Sequence, residues 1–257
     1  MRITRRYAVI LALAAAGVIA VAGIAIAATT STFTFKASPS KVPKHRYKAG
    51  SLKTNLETSY TDPGNSNPGG AVERTQIYLD KNFKVNPKAA KKCSASQLSN
   101  QTMAGAMAAC KKAKVGKGIA TATANGNFEI DGCVLLFNGK PQGKKPTLQV
   151  FTRVQASNPS TIDCSDPSHN TQGNVTILLT GIYKPKTGRY SNVLDVDHIT
   201  QAAQFPLEIY KTKVKKGNYA SARCAAKSKK WHMKVVWTYN DGTKTRVHKT
   251  QKCKVKR

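Results

Sequence analysis

The sequence predicts an all-β protein: an antiparallel β-sandwich with one short inserted helix over about 95–109, stapled by disulfides. Three observations predict it. Roughly a dozen short stretches alternate polar and apolar residues, the period of half-buried strands. Turn dipeptides such as Asn125-Gly126, Asp131-Gly132 and Asn138-Gly139 punctuate them. Long helical periods that could cross over between parallel strands are absent. The 40% hydrophobic content supplies a core that a disordered polycation lacks.

The chain opens on a basic segment, Met1 to Arg6, followed by an uncharged run over 7–26. Small residues at Ala25 and Ala27 then satisfy the A-x-A cleavage pattern. Residues 1–27 therefore read as a signal peptide, with Ala28 the expected mature start. Thr4-Arg5-Arg6 hints at twin-arginine export, although only Ala8 and Val9 stand where that signal prefers hydrophobic residues. Left uncleaved, the run is long enough to anchor the protein in a membrane. The 42 Lys and Arg outnumber the 12 acids, for a net charge of +30. Losing Arg2, Arg5 and Arg6 with the leader lowers that to +27.

Residues 28–48 read as an N-terminal strand (31–36) and a basic linker, and 49–257 as a single sandwich domain. Alternation predicts strands over 50–60 and 72–79, separated by the turn-rich 62–70. Ser94-Ala-Ser-Gln97 is a capping box, and Leu98, Met103, Met107 and Cys110 follow near one helical face, which gives the helix over 95–109. Further strands are expected over 118–124, 128–137, 147–154, 175–183, 193–199, 205–211 and 219–224.

The last hairpin is the most specific element. Trp231, Met233, Val235, Trp237 and Tyr239 share one strand face, assigned to the core. His232, Lys234, Val236 and Thr238 share the other. A two-residue Asp-Gly loop would set Trp237 opposite Arg246. A three-residue Asn240-Asp241-Gly242 loop sets Trp237 opposite Thr245 and Val235 opposite Val247, which keeps polarity consistent. That register turns His232, Lys234, Lys244, Arg246, His248 and Lys252 outward as one basic face.

Six cysteines without a C-x-x-C, in an exported chain, read as disulfides. Fifteen pairings are open, and the sequential one is expected because each pair brackets a compact unit: Cys93–Cys110, Cys133–Cys164 and Cys224–Cys253. Each bridge is expected to contribute about 3–4 kcal/mol by loop closure.

Asn86-Pro-Lys-Ala-Ala-Lys-Lys-Cys-Ser94, Ala109-Cys110-Lys-Lys-Ala-Lys-Val-Gly-Lys-Gly118, Phe137-Asn-Gly-Lys-Pro-Gln-Gly-Lys-Lys-Pro-Thr147 and the final Tyr219-x4-Cys224 to Asp241-Gly242 to Cys253 carry a resemblance. Together they resemble uncharacterised secreted β-sandwich proteins of soil actinobacteria. The resemblance implies an exported β-rich domain holding Cys93–Cys110 and Cys224–Cys253. It implies no activity and no site residues, and it lapses between about 158 and 194.

The chain has no G-x-S-x-G, H-E-x-x-H, P-loop or G-x-G-x-x-G. No cofactor is expected. Asp195-Val-Asp197-His198 places two carboxylates on one strand face beside an imidazole, a weak candidate for metal ligation. Asp163, Asp166 and His169 form a second such group in a loop. Residues 211–257 hold sixteen Lys and Arg against one acid, Asp241, a field that attracts polyanions. The expected function is that of a secreted or surface-associated, non-catalytic protein binding an anionic envelope polymer or glycan. The alternative is an extracellular hydrolase, metal-assisted, around Asp195, Asp197 and His198. Nucleic acid is expected to bind only non-specifically, and a membrane only through an uncleaved leader.

Overall fold

The structure is a computed structural model that describes residues 30–59, 71–124, 128–156, 175–199, 207–225 and 229–256. The leader at 1–27, Cys164 and the Asp163–Asp166–His169 group lie outside the described residues.

Strands dominate, and the class is all-β and antiparallel. Among the described residues, eleven strands form one sheet: β1 (Thr30–Ser38), β4 (Ser51–Ser59), β5 (Val72–Asp80), β7 (Lys114–Ala124), β8 (Phe128–Gln142), β9 (Lys145–Ala156), β10 (Val175–Pro185), β11 (Tyr190–Val196), β12 (Leu207–Val214), β14 (Lys230–Tyr239) and β15 (Lys244–Lys252). Their spatial order is β1-β4-β12-β7-β8-β9-β10-β11-β5-β14-β15. The layers belong to this one sheet, which rolls until its two edges meet. At the seam, Ala37 of β1 donates its N–H to Gln251 Oε1 of β15 (2.7 Å) and accepts from Gln251 Nε2 (2.9 Å). Further along, Ser31 Oγ and Tyr239 Oη lie 2.6 Å apart. The rolled, nearly barrel-like sheet thus protects edges that would otherwise invite pairing with another chain.

Short strands complete the fold. β3 (Lys48–Ala49), β13 (Ala220–Ala222) and β6 (Phe83–Val85) form a three-stranded sheet, and β2 (Lys41–Val42) pairs in parallel with β16 (Lys254–Val255). The expected N-terminal strand is β1, paired with β4 over nine residues, while the stretch read as a basic linker is woven in, since β2 and β3 each find a partner.

Alternation explains the interior. Phe33, Leu56, Leu136, Leu148, Val150, Val196, Trp231, Met233, Val235 and Trp237 point into the roll. β8 instead carries a continuous apolar run, Val134 to Phe137, because both its faces are covered. Leu135 and Phe137, with Phe151 of β9, pack outward under the helical insertion against Leu98, Met103 and Ala106.

That insertion is two helices, not one. α1 (Ala95–Leu98) starts on the Ser94/Gln97 capping box and stops at Ser99. Asn100 then adopts φ +57°, a left-handed conformation that Asn tolerates, and the helix cannot continue through it. Thr102 opens α2 (Met103–Cys110) by accepting from the Gly105 N–H at 2.9 Å. The expected helix over 95–109 therefore breaks at a second cap. Cys93–Cys110 ties the pair to its base, with Cα atoms 5.8 Å apart. Cys224–Cys253 joins β13 to the end of β15 at 5.9 Å. Cys133 is buried and disulfide-bonded, but the expected pairing with Cys164 falls outside the described residues.

Candidate functional site

The last hairpin has the three-residue loop. Trp237 faces Thr245, Val235 faces Val247 and Lys234 faces His248. Gly242 supplies the left-handed residue at φ +82°, and its N–H donates to the Tyr239 carbonyl at 2.9 Å. Trp231, Met233, Val235, Trp237 and Tyr239 are buried. His232, Lys234, Lys244, Arg246, His248 and Lys252 accordingly occupy the outer face. They do not converge on one point. Lys244 and Lys252 stand at opposite ends of a nine-residue strand, about 27 Å apart at the usual rise. Lys234, Arg246 and His248 form the centre, and Lys252 faces Lys230 at the far end.

The centre includes residues that no sequence signal singled out. Lys234 pairs across the sheet with Tyr78 of β5, and its Nζ lies 3.9 Å from the Tyr78 ring centroid and 5.5 Å from that of Tyr190 on β11. The two rings meet edge to face at 5.5 Å. Tyr190 Oη lies 3.4 Å from His248 Nδ1. Burial, and then the charges of Arg246 and Lys186, push the Lys234 ammonium below its ordinary range. A cation held this way, half-desolvated and facing other cations, favours an approaching anion. Tyr78 and Tyr190 were missed because their pairing is non-local; alternation along β5 and β11 could only have placed them outward.

The acidic candidates are arranged differently from expectation. β11 ends at Val196, not 199, so Asp195 lies on the strand while Asp197 and His198 follow it. Asp195 is buried and committed: Arg74 donates from Nε (2.7 Å) and Nη2 (2.6 Å), and the Lys184 ammonium bonds the same carboxylate. Burial pushes its pKa up, but the hydrogen bonds and charges of Arg74 and Lys184 outweigh burial and hold it below the carboxylate range. Asp195 therefore does not join Asp197 and His198 as a ligand. Glu73 takes the third place instead: Glu73, Asp197 and His198 bring ligand atoms within 4.8 Å of one another. Asp197 and His198 are exposed, and His198 Nδ1 lies 3.4 Å from Glu73 Oε1. The group has a zinc-compatible donor set, held on one half-buried and two exposed side chains.

Fold and surface together define a class: an all-β, disulfide-bonded protein whose rolled sheet presents cationic faces. No protein-family model matches the chain, and no curated protein or solved structure matches it significantly. Two disulfides fit an oxidising setting outside the cytoplasm, and no described helix is long and apolar enough to cross a membrane.

Proposed function

We propose that this is an exported, non-catalytic protein that binds an anionic polymer or glycan of the cell envelope. One observation carries the reading: the Lys234 ammonium over the Tyr78–Tyr190 floor, with Arg246 and His248 beside it on β15. Lys234 and Arg246 stand on two paired strands, so an acidic group meets preorganised charge and loses little entropy on binding. The aromatic floor adds a surface against which a sugar ring can pack. The low charge of the acidic complement leaves this field uncompensated, since the chain carries 12 acids against 42 cations.

The test is the triple variant Lys234→Gln, Lys244→Gln, Arg246→Gln, with polygalacturonate as the probe. The proposal expects an intact fold, weaker binding and a salt slope shallower by about two to three, by analogy with counter-ion release from phosphate chains. Parental affinity and slope in the variant would reduce this face to a solvated surface.

A further inference from the structure

We propose that the interior of the rolled sheet binds a neutral, single-ring-sized apolar molecule carrying one oxygen, which the hydroxyls of Tyr210 and Tyr219 hold. The two tyrosines reach the interior from different places: Tyr210 from β12, and Tyr219 from the segment just before β13. Both line a cavity of about 120 Å³ whose wall is built by side chains of β4, β5, β8, β9, β10, β11, β12 and β14. A barrel of about eight strands is just filled by its own side chains or holds one small ligand. Eleven strands are rolled up here, which leaves room between the inward side chains.

Tyr210 Oη is buried and has no hydrogen-bond partner among the described residues. Its cross-strand neighbours, Leu56 and Ala120, have no side-chain acceptor to offer. Tyr219 Oη is buried in the same condition: Tyr183 comes near enough to act on its proton but completes no hydrogen bond of ordinary geometry with it. Thr54 and Thr212 also line the cavity, but their hydroxyls lie 2.8 Å apart and bond each other. A buried hydroxyl without a partner has lost its hydration and regained nothing. Two of them in one apolar cavity are satisfied by an oxygen brought in on a bound molecule.

The wall selects the ligand. Among the described residues, no Lys, Arg, His, Asp or Glu lines the cavity, so a charged molecule would enter without a counter-charge. Burial raises the pKa of all three phenols, that of Tyr183 to about 12, and they remain protonated donors. The ligand therefore supplies the acceptor, a carbonyl, ether or hydroxyl oxygen. Most of the remaining wall is aliphatic, and Trp237 adds one ring. An apolar cavity of about 150 Å³ accepts benzene, which sets the size here at one ring or a short branched chain. Water suits such a wall poorly, since each molecule needs about two to four polar partners.

This interior site is independent of the surface charge, so its failure would leave the polyanion reading standing. The probe is cyclohexanone, with methylenecyclohexane as the isostere that lacks the oxygen and cyclohexanecarboxylate as the charged counterpart. NMR titration is expected to show saturable binding of cyclohexanone, binding of the isostere weaker by about five- to tenfold, and no binding of the carboxylate. At least one of Tyr210→Phe and Tyr219→Phe is expected to lose cyclohexanone affinity by about the same factor and to keep that for the isostere. Neither is expected to lower the urea midpoint of the ligand-free protein, because the hydroxyl it removes has no partner to lose. Absent binding of cyclohexanone, equal affinity for the isostere or the carboxylate, or full affinity in both variants overturns the inference. A lowered midpoint in both variants also overturns it, since the hydroxyls would then be structural. If the variants fail to fold, methyl shifts of the parent decide. Cyclohexanone must move Leu136, Leu179 and Leu194 in the wall more than Leu98 and Leu135 under the helical insertion, and uniform shifts overturn the inference.

Discussion

The ammonium of Lys234 lies 3.9 Å from the centroid of the Tyr78 ring, its direct cross-strand neighbour. The contact offsets part of the cost of holding Lys234 half out of water beside Arg246 and Lys186. Tyr78→Leu keeps the apolar cover and removes the ring face, so it is expected to cost about 0.5–1 kcal/mol. Urea unfolding of the two proteins measures it.

The depressed Lys234 pKa gives a pH prediction. Its folded value lies below the unfolded one, so between the two values the unfolded chain holds the extra proton. The group's penalty is present when pH is below the folded pKa, and stability recovers as pH rises toward the ordinary lysine value. Arg246→Gln removes one cause of the depression. The ¹³C shift of Lys234 Cε, followed through alkaline titration, is expected to show a higher pKa in that variant; an unchanged value would mean Arg246 does not act on this amine.

Asp195 makes the opposite prediction. Its folded pKa is lowered, so its stabilisation is present above the unfolded value and is lost as pH falls through the folded one. Asp195→Asn leaves two cations facing a neutral amide. Their side chains are 35% and 37% exposed, and solvent screening discounts the cost to about 2–3 kcal/mol near neutrality. The deficit relative to the parent should shrink in acid unfolding experiments as pH falls through the lowered Asp195 pKa.

Asn138 locks the lysine-rich segment before α1 onto β8. Its Nδ2 donates to the carbonyls of Pro87 (2.8 Å), Ala90 (3.0 Å) and Lys91 (3.0 Å). Asn138→Ala is expected to cost about 1–3 kcal/mol and to speed amide exchange around 86–93 selectively. Uniform exchange across the fold would contradict this local role.

The hairpin was legible because its instructions are local. Alternation from Trp231 to Tyr239 fixes the buried face, and Asn240-Asp241-Gly242 fixes the register. The helical insertion was half legible: the Ser94 capping box announces its start, but the break depends on Asn100 taking a left-handed turn and on Thr102 competing as a new cap. The cationic surfaces were illegible where they depend on distant pairing. Nothing near Lys53 in the chain says that Lys213 will face it, and nothing near Asp195 names Arg74 as its partner. A pattern read along one strand gives the face of a residue, not its neighbour on the next strand.

The central claim is that charge fixed on this sheet binds an acidic polymer without a metal. Titration of the protein with polygalacturonate from about 20 to 300 mM salt, with and without EDTA, tests it most directly. The account predicts a linear fall of log K with log salt, with a slope of several units, and the same curve in EDTA. Binding that ignores salt, or that EDTA abolishes while zinc restores it through Glu73, Asp197 and His198, would contradict the account and favour the metal-assisted alternative.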